Sequence, residues 1–567
     1  MNRNVNSRFA LNPTNIDMPR SRFSRNQSIK TTFNVGDIVP FYVEEVLPGD
    51  TDKIRTSKVV RMQTLVAPIM DNVYLDTYYF FVPNRLVWEH WRQFMGENTQ
   101  SAWIPQAEYS VPQVTSPKDG WQVGTIADYM GIPTGVDNLS VNALPFRAYA
   151  LICNEWFRDE NLTDPLNIPV NDSTQNGSNG DSYINDVANG GKPFKASKYF
   201  DYFTGALPAP QKGPDVTINT GEQHVVGNGN ALTLTYGGDS LYPLSNVQSS
   251  TTKYLMGKGN AYNAAVGTDT SSSSNQMNGN VNVGLATESQ LGTRLDLSGL
   301  VTTGESLFTI NQLRQAFQIQ KFYEKSARGG TRYIELLKSM FGVTSPDARL
   351  QRPEYLGGNR IPININQVIQ TSETAGTPLG DTAAYSLTSD SHDDFTYSFV
   401  EHGFVIGLMV ARYDHTYQQG LERFWSRSSK FDYYWPLFAN LGEQGIKNKE
   451  LFAQGSQVIN ESTGVAYDDE IFGYQEAWAD YRYKPNRVSG EMRSQYTTPL
   501  DMWHLADNYS QLPSLSDGWI REDKSNLDRV LAVTSQVSMQ LLADLYVQNI
   551  STRAMPIYSI PGLIDHH

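Results

Sequence analysis

The chain has 567 residues, with 45 Lys and Arg against 59 Asp and Glu, a formal charge of −14, and one cysteine, Cys153. The length allows three or four domains, or one large β domain carrying insertions. A single cysteine excludes an internal disulfide, no apolar run is long enough to span a bilayer, and the acidic balance argues against a surface built throughout for nucleic acid.

Only 18 % of residues are charged, while Gly (44), Tyr (31) and Phe (24) are abundant. That balance favours β structure and polar loops. The N-terminal residues lack the apolar stretch of a secretory signal, so none is expected.

Residues 1–30 form a basic arm. Arg3, Arg8, Arg20, Arg22, Arg25 and Lys30 face one acid, Asp17, giving +5 and leaving −19 for residues 31–567. Leu11, Ile16 and Phe23 are too sparse for a core, so a flexible or surface-draped segment is expected. Three strands should follow, over 37–47, 58–66 and 73–82. The last is the β-branched and aromatic run VYLDTYYFFV.

A helix capped by Asn84 should reach Met95, with Val87, Trp91, Phe94 and Met95 on one face. A second is expected over 145–158, opening on Pro145 and aligning Phe146, Ala150, Cys153 and Phe157. A third should span 306–328 with Ile310, Leu313, Phe317 and Tyr323 inward. Gly329-Gly330 ends it, and a short helical segment to Phe341 follows.

Two stretches read as insertions. Residues 171–192 look too polar to pack and are expected as a surface loop. Residues 221–300 hold 12 Gly, 10 Ser and 9 Asn but no Trp or Phe, and should project from the body as an exposed elaboration. Strand character returns over 395–413, where Gly403 and Gly407 suggest bends or bulges. Regular βαβ alternation is missing, so one mainly β domain over 31–567 is the expected architecture.

Motifs for chemistry are scarce. The eight His form no HxH or HExxH spacing, and His392-Asp393-Asp394 and Asp414-His415 read as loop polar groups. No phosphate-cradling GxxxxGK[ST] and no GxSxG elbow occurs. Cys153 falls on an apolar helix face and reads as an inert core thiol. Glu401, Glu443 and Glu476 lie near aromatics but are more simply ion-paired surface carboxylates. No catalytic, cofactor or metal residue is therefore assigned. The basic arm, able to contact phosphates without sequence preference, is the strongest functional signal in the residues themselves.

Six ordered segments carry a resemblance. They are FNVGDIVPFYVEEVLPGDT (33–51), DTYYFFVPNRLVWEHWRQFMGEN (76–98), ALPFRAYALICNEWFRDENL (143–162), YFDYFTGALPAPQKGPDV (199–216), RYIELLKSMFGVTSPDARLQRPEYLGG (332–358) and FGYQEAWADYRYKPNRVSGEMR (472–493). Together they resemble the major capsid proteins of microviruses of the gokushovirus group, small icosahedral single-stranded DNA phages. The resemblance implies an eight-stranded antiparallel jelly roll with long loops. It also implies self-assembly of sixty copies into a T=1 shell around a circular single-stranded DNA genome, inside the host bacterium.

The further partners it implies are a small basic DNA-binding virion protein, a minor capsid or pilot protein, and a host receptor, either a glycan or an outer-membrane component. On this reading Arg3, Arg8, Arg20, Arg22 and Arg25 face the genome. The 221–300 insertion builds a threefold protrusion that buries Leu232, Leu234, Leu241 and Leu255 and reaches the receptor. The aromatic and Arg residues Trp91, Phe94, Phe146, Tyr149, Phe424, Trp425 and Arg427 are candidates for subunit interfaces, with core packing as the alternative for each.

Overall fold

The computed structural model describes residues 20–98, 108–214, 216, 310–373, 376, 379–380 and 382–558, together with the backbone of the pairs 225–226, 235–236, 239–240 and 302–303. Eight strands carry the body: β1 (Gln27–Phe33), β2 (Val39–Val46), β3 (Thr51–Met62), β4 (Val73–Pro83), β5 (Glu354–Pro362), β6 (Thr388–Ser398), β7 (Gly403–Tyr413) and β8 (Leu541–Arg553). They pair antiparallel in two sheets, ordered β1–β8–β3–β6 and β2–β7–β4–β5. The chain changes sheet at every connection except β4 to β5. This is a jelly roll, and the chain is mainly β as its composition indicates.

The two sheets differ in how their outer faces are covered, and the sequence shows why. Along β8 burial alternates: Leu541, Ala543, Leu545 and Val547 enter the sandwich, while Leu542, Asp544 and Tyr546 are exposed. Strand β7 is buried on both faces. Val405, Met409 and Ala411 fill the sandwich, whereas Phe404, Ile406, Leu408 and Val410 join a second core. A sheet buried on both sides needs continuous apolar strands, and GFVIGLMVARY is such a run.

The second core is roofed by described residues between Val87 and Ala196, within the β4–β5 connection. Its main element is α1 (Leu144–Ile152), which continues as a π-helical turn over Cys153–Phe157. Phe146, Ala150 and Cys153 are buried as the apolar spacing predicts. The β7–β8 connection, residues 414–540, departs from the opposite end of the sheet, because β7 finishes beside the start of β4, Tyr413 against Val73.

Two compact units divide the chain, 1–212 with 323–567, and 213–322. In the second unit Val225–Val226 pairs antiparallel with Thr302–Thr303, so backbone bonds join the two ends of the polar insertion. Helix α2 (Ile310–Gly329) follows it.

Several expectations change. The single helix over 84–95 is instead a 3-10 turn, Asn84–Leu86, and a short α-helix, Trp91–Phe94. The Val87 carbonyl accepts from Arg147 and the Glu89 amide donates to Val170, which takes the intervening backbone out of the helical ladder. In α2, Ile310 and Phe317 are exposed rather than inward.

The β-rich stretch 395–413 is interrupted just before Gly403, where a bend is expected. It crosses between sheets at 399–402, with β6 in one and β7 in the other. The bulge foreseen at Gly407 is present, as a register shift against β2. A Cβ there would lie 2.8 Å from the Tyr79 ring, so glycine lets the two strands approach.

The segment 171–192 also packs. Val187 and Ala188 are core residues, and Gln175 is buried because its side-chain oxygen accepts from Arg147 at 2.7 Å. Polar residues bury readily when their hydrogen bonds are met, which polarity alone does not reveal.

Candidate interaction surfaces

The N-terminal segment enters the sheet earlier than its composition suggests. Ser21–Ser24 and β1 both pair with β8, so residues from Ser21 onward follow an ordered strand edge. Only Ile29 and Phe33 of β1 pack into the sandwich, and the backbone ladder supplies the rest of the order. Arg25 is half-buried against Glu44, which neutralises it within the chain. Arg20 donates to the Gly49 carbonyl at 2.9 Å. Arg22 is exposed, with no ion pair among the described residues. Arg3 and Arg8 lie outside the described residues, as do Leu232, Leu234, Leu241 and Leu255.

The seven interface candidates separate by burial. Phe146 and Tyr149 are fully buried; the Tyr149 hydroxyl donates to the Ile38 carbonyl at 2.6 Å and accepts from the Phe194 amide. Trp91 packs with Trp88 in the same core. These three are core residues, not interface residues. Phe94, Phe424 and Trp425 are exposed, at 39 %, 42 % and 66 %. Arg427 is held by Asp480 and lies 4.2 Å from the Tyr481 ring centre.

Phe424 and Trp425 begin a ridge. Phe431, Tyr433, Trp435, Leu437 and Leu441 are each at least half-exposed. Short 3-10 turns, Arg423–Ser426, Lys430–Asp432 and Pro436–Phe438, hold these residues outward. So many exposed large apolar residues within one segment make it a candidate contact surface.

Elsewhere in the same unit the fold is tied together by buried charge. His415 is almost fully buried, with Nδ1 at 3.0 Å from Asp507 and Nε2 at 3.0 Å from Glu522. Burial opposes its protonation, but the two carboxylates outweigh burial and push it up to about 9. For Asp507 burial is likewise outweighed, by His415 and by Lys198 at 3.7 Å, and its carboxyl is held well below the usual range. The imidazolium is the form that can donate from both nitrogens. This hub joins the start of the β7–β8 connection to two later segments of it.

A second hub surrounds Asp76 on β4. Arg360 and Arg412 each approach it to 2.6 Å, and Tyr199 donates to it at 2.9 Å. Burial would raise this carboxyl, but the arginines and the tyrosine keep it below its ordinary value.

The sequence contains no local signal for the first hub, since its partners lie 92 and 107 residues from His415. The loop reading of Asp414-His415 is therefore replaced by a buried ion network. Asp394 is likewise buried, accepting from the Thr56 hydroxyl, and burial raises its carboxyl.

Glu443 and Glu476 face each other across a hairpin, but Arg328 contacts both, and Glu401 is paired with Arg85 elsewhere. Among the described residues no three His, Cys, Asp or Glu converge as metal ligands, and no helix is long and apolar enough to cross a membrane.

Residues 13–563 match the family model described as "Capsid protein (F protein)". The chain belongs to this phage capsid-protein family.

It is 41 % identical to the capsid protein VP1 of Chlamydia phage 1, over 99 % of this chain and 98 % of that one. It is 42 % identical to capsid protein VP1 of Spiroplasma virus 4, over 96 % of each. Capsid protein VP1 of Bdellovibrio phage phiMH2K is 41 % identical, over 98 % and 97 %. The likeness to gokushovirus-type capsid proteins read from the six segments thus extends over nearly the whole chain. The protein is a structural component of a virion rather than an enzyme.

Proposed function

We propose that sixty copies of the chain close into a T=1 icosahedral shell around a circular single-stranded DNA genome, assembling in the host bacterial cytoplasm. The observation that carries this reading is the exposed ridge over 431–441. A free protomer gains nothing by holding Phe431, Trp435 and Leu437 in water, whereas a neighbouring copy would cover them. Electron microscopy of purified assembled material tests it. The expected result is a uniform small icosahedral particle of several megadaltons, and a discrete small oligomer would refute it.

Within that shell Arg3, Arg8, Arg20 and Arg22 are the arm residues available to the genome, since Arg25 is engaged by Glu44. Bulk charge cannot neutralise DNA in a chain at −14, so a small basic virion protein is the expected co-packaged partner, beside a minor pilot protein. Particles lacking residues 1–19 should package less genome and lose it at lower salt. Unchanged yield and salt tolerance would remove the arm from this role.

The 221–300 insertion is proposed as the threefold protrusion that meets a glycan or outer-membrane receptor. Its paired ends support an excursion that can be shortened without disturbing the sheets. Shells deleted for its central residues should assemble yet fail to adsorb, and normal adsorption would reject the receptor role.

A further inference from the structure

A pocket of about 560 Å³ opens beside the ridge, walled by parts of the β7–β8 connection and by Tyr202 and Phe203. Six cations line it, Arg423, Arg427, Arg482, Lys484, Arg487 and Arg493, against three acids, Glu422, Glu450 and Asp480. In a chain of net charge −14, this concavity is locally +3.

Ion pairs occupy four of the cations: Arg423 with Glu450, Arg427 with Asp480, Arg482 with Glu476 and Lys484 with Glu422. Arg493 donates to the Gln418 carbonyl at 3.0 Å but forms no ion pair among the described residues. Arg487 is exposed and also forms none among them. Two guanidinium charges are therefore uncompensated on one wall.

Flat aromatic faces stand at the same opening. Phe424 and Trp425 lie against each other with ring centres 4.6 Å apart and planes tilted by 35°, and Trp425 is 66 % exposed. Deeper in, Tyr483 stacks on Tyr202 at 5.2 Å, which keeps that wall rigid. The Lys484 ammonium lies 5.1 Å from the Phe424 ring centre, which fixes the outer pair.

We infer that this pocket holds a segment of single-stranded nucleic acid, one unpaired base stacking on Trp425 and its flanking phosphates meeting Arg487 and Arg493. The inference rests on the reading that the shell encloses single-stranded DNA, and it names a place on the protomer where the strand is gripped. The chemistry selects this ligand. A duplex hides its base faces, so it could use the arginines but not the tryptophan. A neutral sugar could stack on the tryptophan and accept hydrogen bonds from the arginines, but it would leave their two charges uncompensated. Stacking combined with non-specific phosphate contact is the grip that tolerates any sequence, as a packaged genome requires.

The test is fluorescence anisotropy with a labelled eight-residue oligothymidylate, using the purified full-length chain at low salt. Trp425→Ala should weaken binding about tenfold, and Trp425→Phe should retain most of it. Arg487→Ala with Arg493→Ala should lower the salt dependence by about one phosphate contact or more. All three residues are exposed, so the variants should keep the parent's circular dichroism and melting temperature.

Equal affinity for a duplex of the same length, tighter binding of a neutral oligosaccharide, or no effect of Trp425→Ala would each overturn the inference. Particle assembly is scored separately by microscopy. If the parent chain forms shells but does not bind the oligonucleotide, the pocket assignment falls while the shell reading stands. Binding by unassembled chain that yields no shells would leave the pocket and remove the shell.

Discussion

The His415 hub should make the protomer sensitive to alkali, and the size of the effect follows from its geometry. Both imidazole nitrogens contact buried carboxylates at 3.0 Å, and the group titrates near 9 instead of its ordinary 6.5. A group whose pKa is raised on folding stabilises the folded state fully below its unfolded value, and that stabilisation disappears as pH rises through the folded value. The shift corresponds to about 3 kcal/mol, complete below about pH 6.5, partly lost by pH 7.5 and gone above about 9.

Asp507 behaves in the opposite sense. Its carboxyl is depressed, so its contribution is present at neutral pH and lost only in strong acid. Above pH 9 the neutral ring would leave Glu522 buried without its imidazolium and Asp507 with Lys198 at 3.7 Å. Urea unfolding of the full-length protomer at pH 6, 7.5 and 9.5, beside His415→Gln, is the assay. The parent should lose about 3 kcal/mol more than the variant between pH 6 and 9.5, and should be the more stable of the two at pH 6. Parallel pH profiles for the two proteins would refute the reasoning.

Other consequences are equally direct. Trp91→Ala should destabilise the protomer by about 3–5 kcal/mol, because it empties a site in the second core, whereas Trp425→Ala should change protomer stability by no more than about 0.5 kcal/mol; paired melting curves check both. Gly407→Ala should cost about 1–3 kcal/mol, since the added carbon would meet the Tyr79 ring at 2.8 Å and Phe41 at 3.0 Å; a melting temperature equal to the parent's would count against that packing. Cys153 is fully buried and burial pushes its thiol up, so a thiol reagent should label the folded protomer only on unfolding; labelling at the rate of a free thiol would contradict its burial.

Patterned segments were legible before any coordinates. The apolar run of β7, the aromatic density of β4, the apolar face of α1 and the bulge at Gly407 each follow from residues close in sequence. The six resembling segments also identified the family. What periodicity could not resolve was where a run changes sheet. Residues 395–413 read as a β-rich stretch with bends at Gly403 and Gly407, but that it passes from one sheet to the other at 399–402 is set by which partners are available. The aromatic candidates show the same limit. Trp91 and Trp425 are chemically alike, and only the packing of α1 and the 171–192 segment over the second sheet buries one and leaves the other in water.

By itself, then, the sequence determined a mainly β body, four of its strands (β2, β3, β4 and β7), its polar insertion and its membership of a capsid family, because these rest on local pattern or on motif order. Tertiary structure decided which charges are structural. Arg147, Arg25 and His415 look like surface cations in the chain. Each is buried or neutralised by partners distant in sequence, and Coulomb and hydrogen-bond energies depend on distance in space. For the same reason only the fold could bring Phe424, Trp425, Arg487 and Arg493 to one opening.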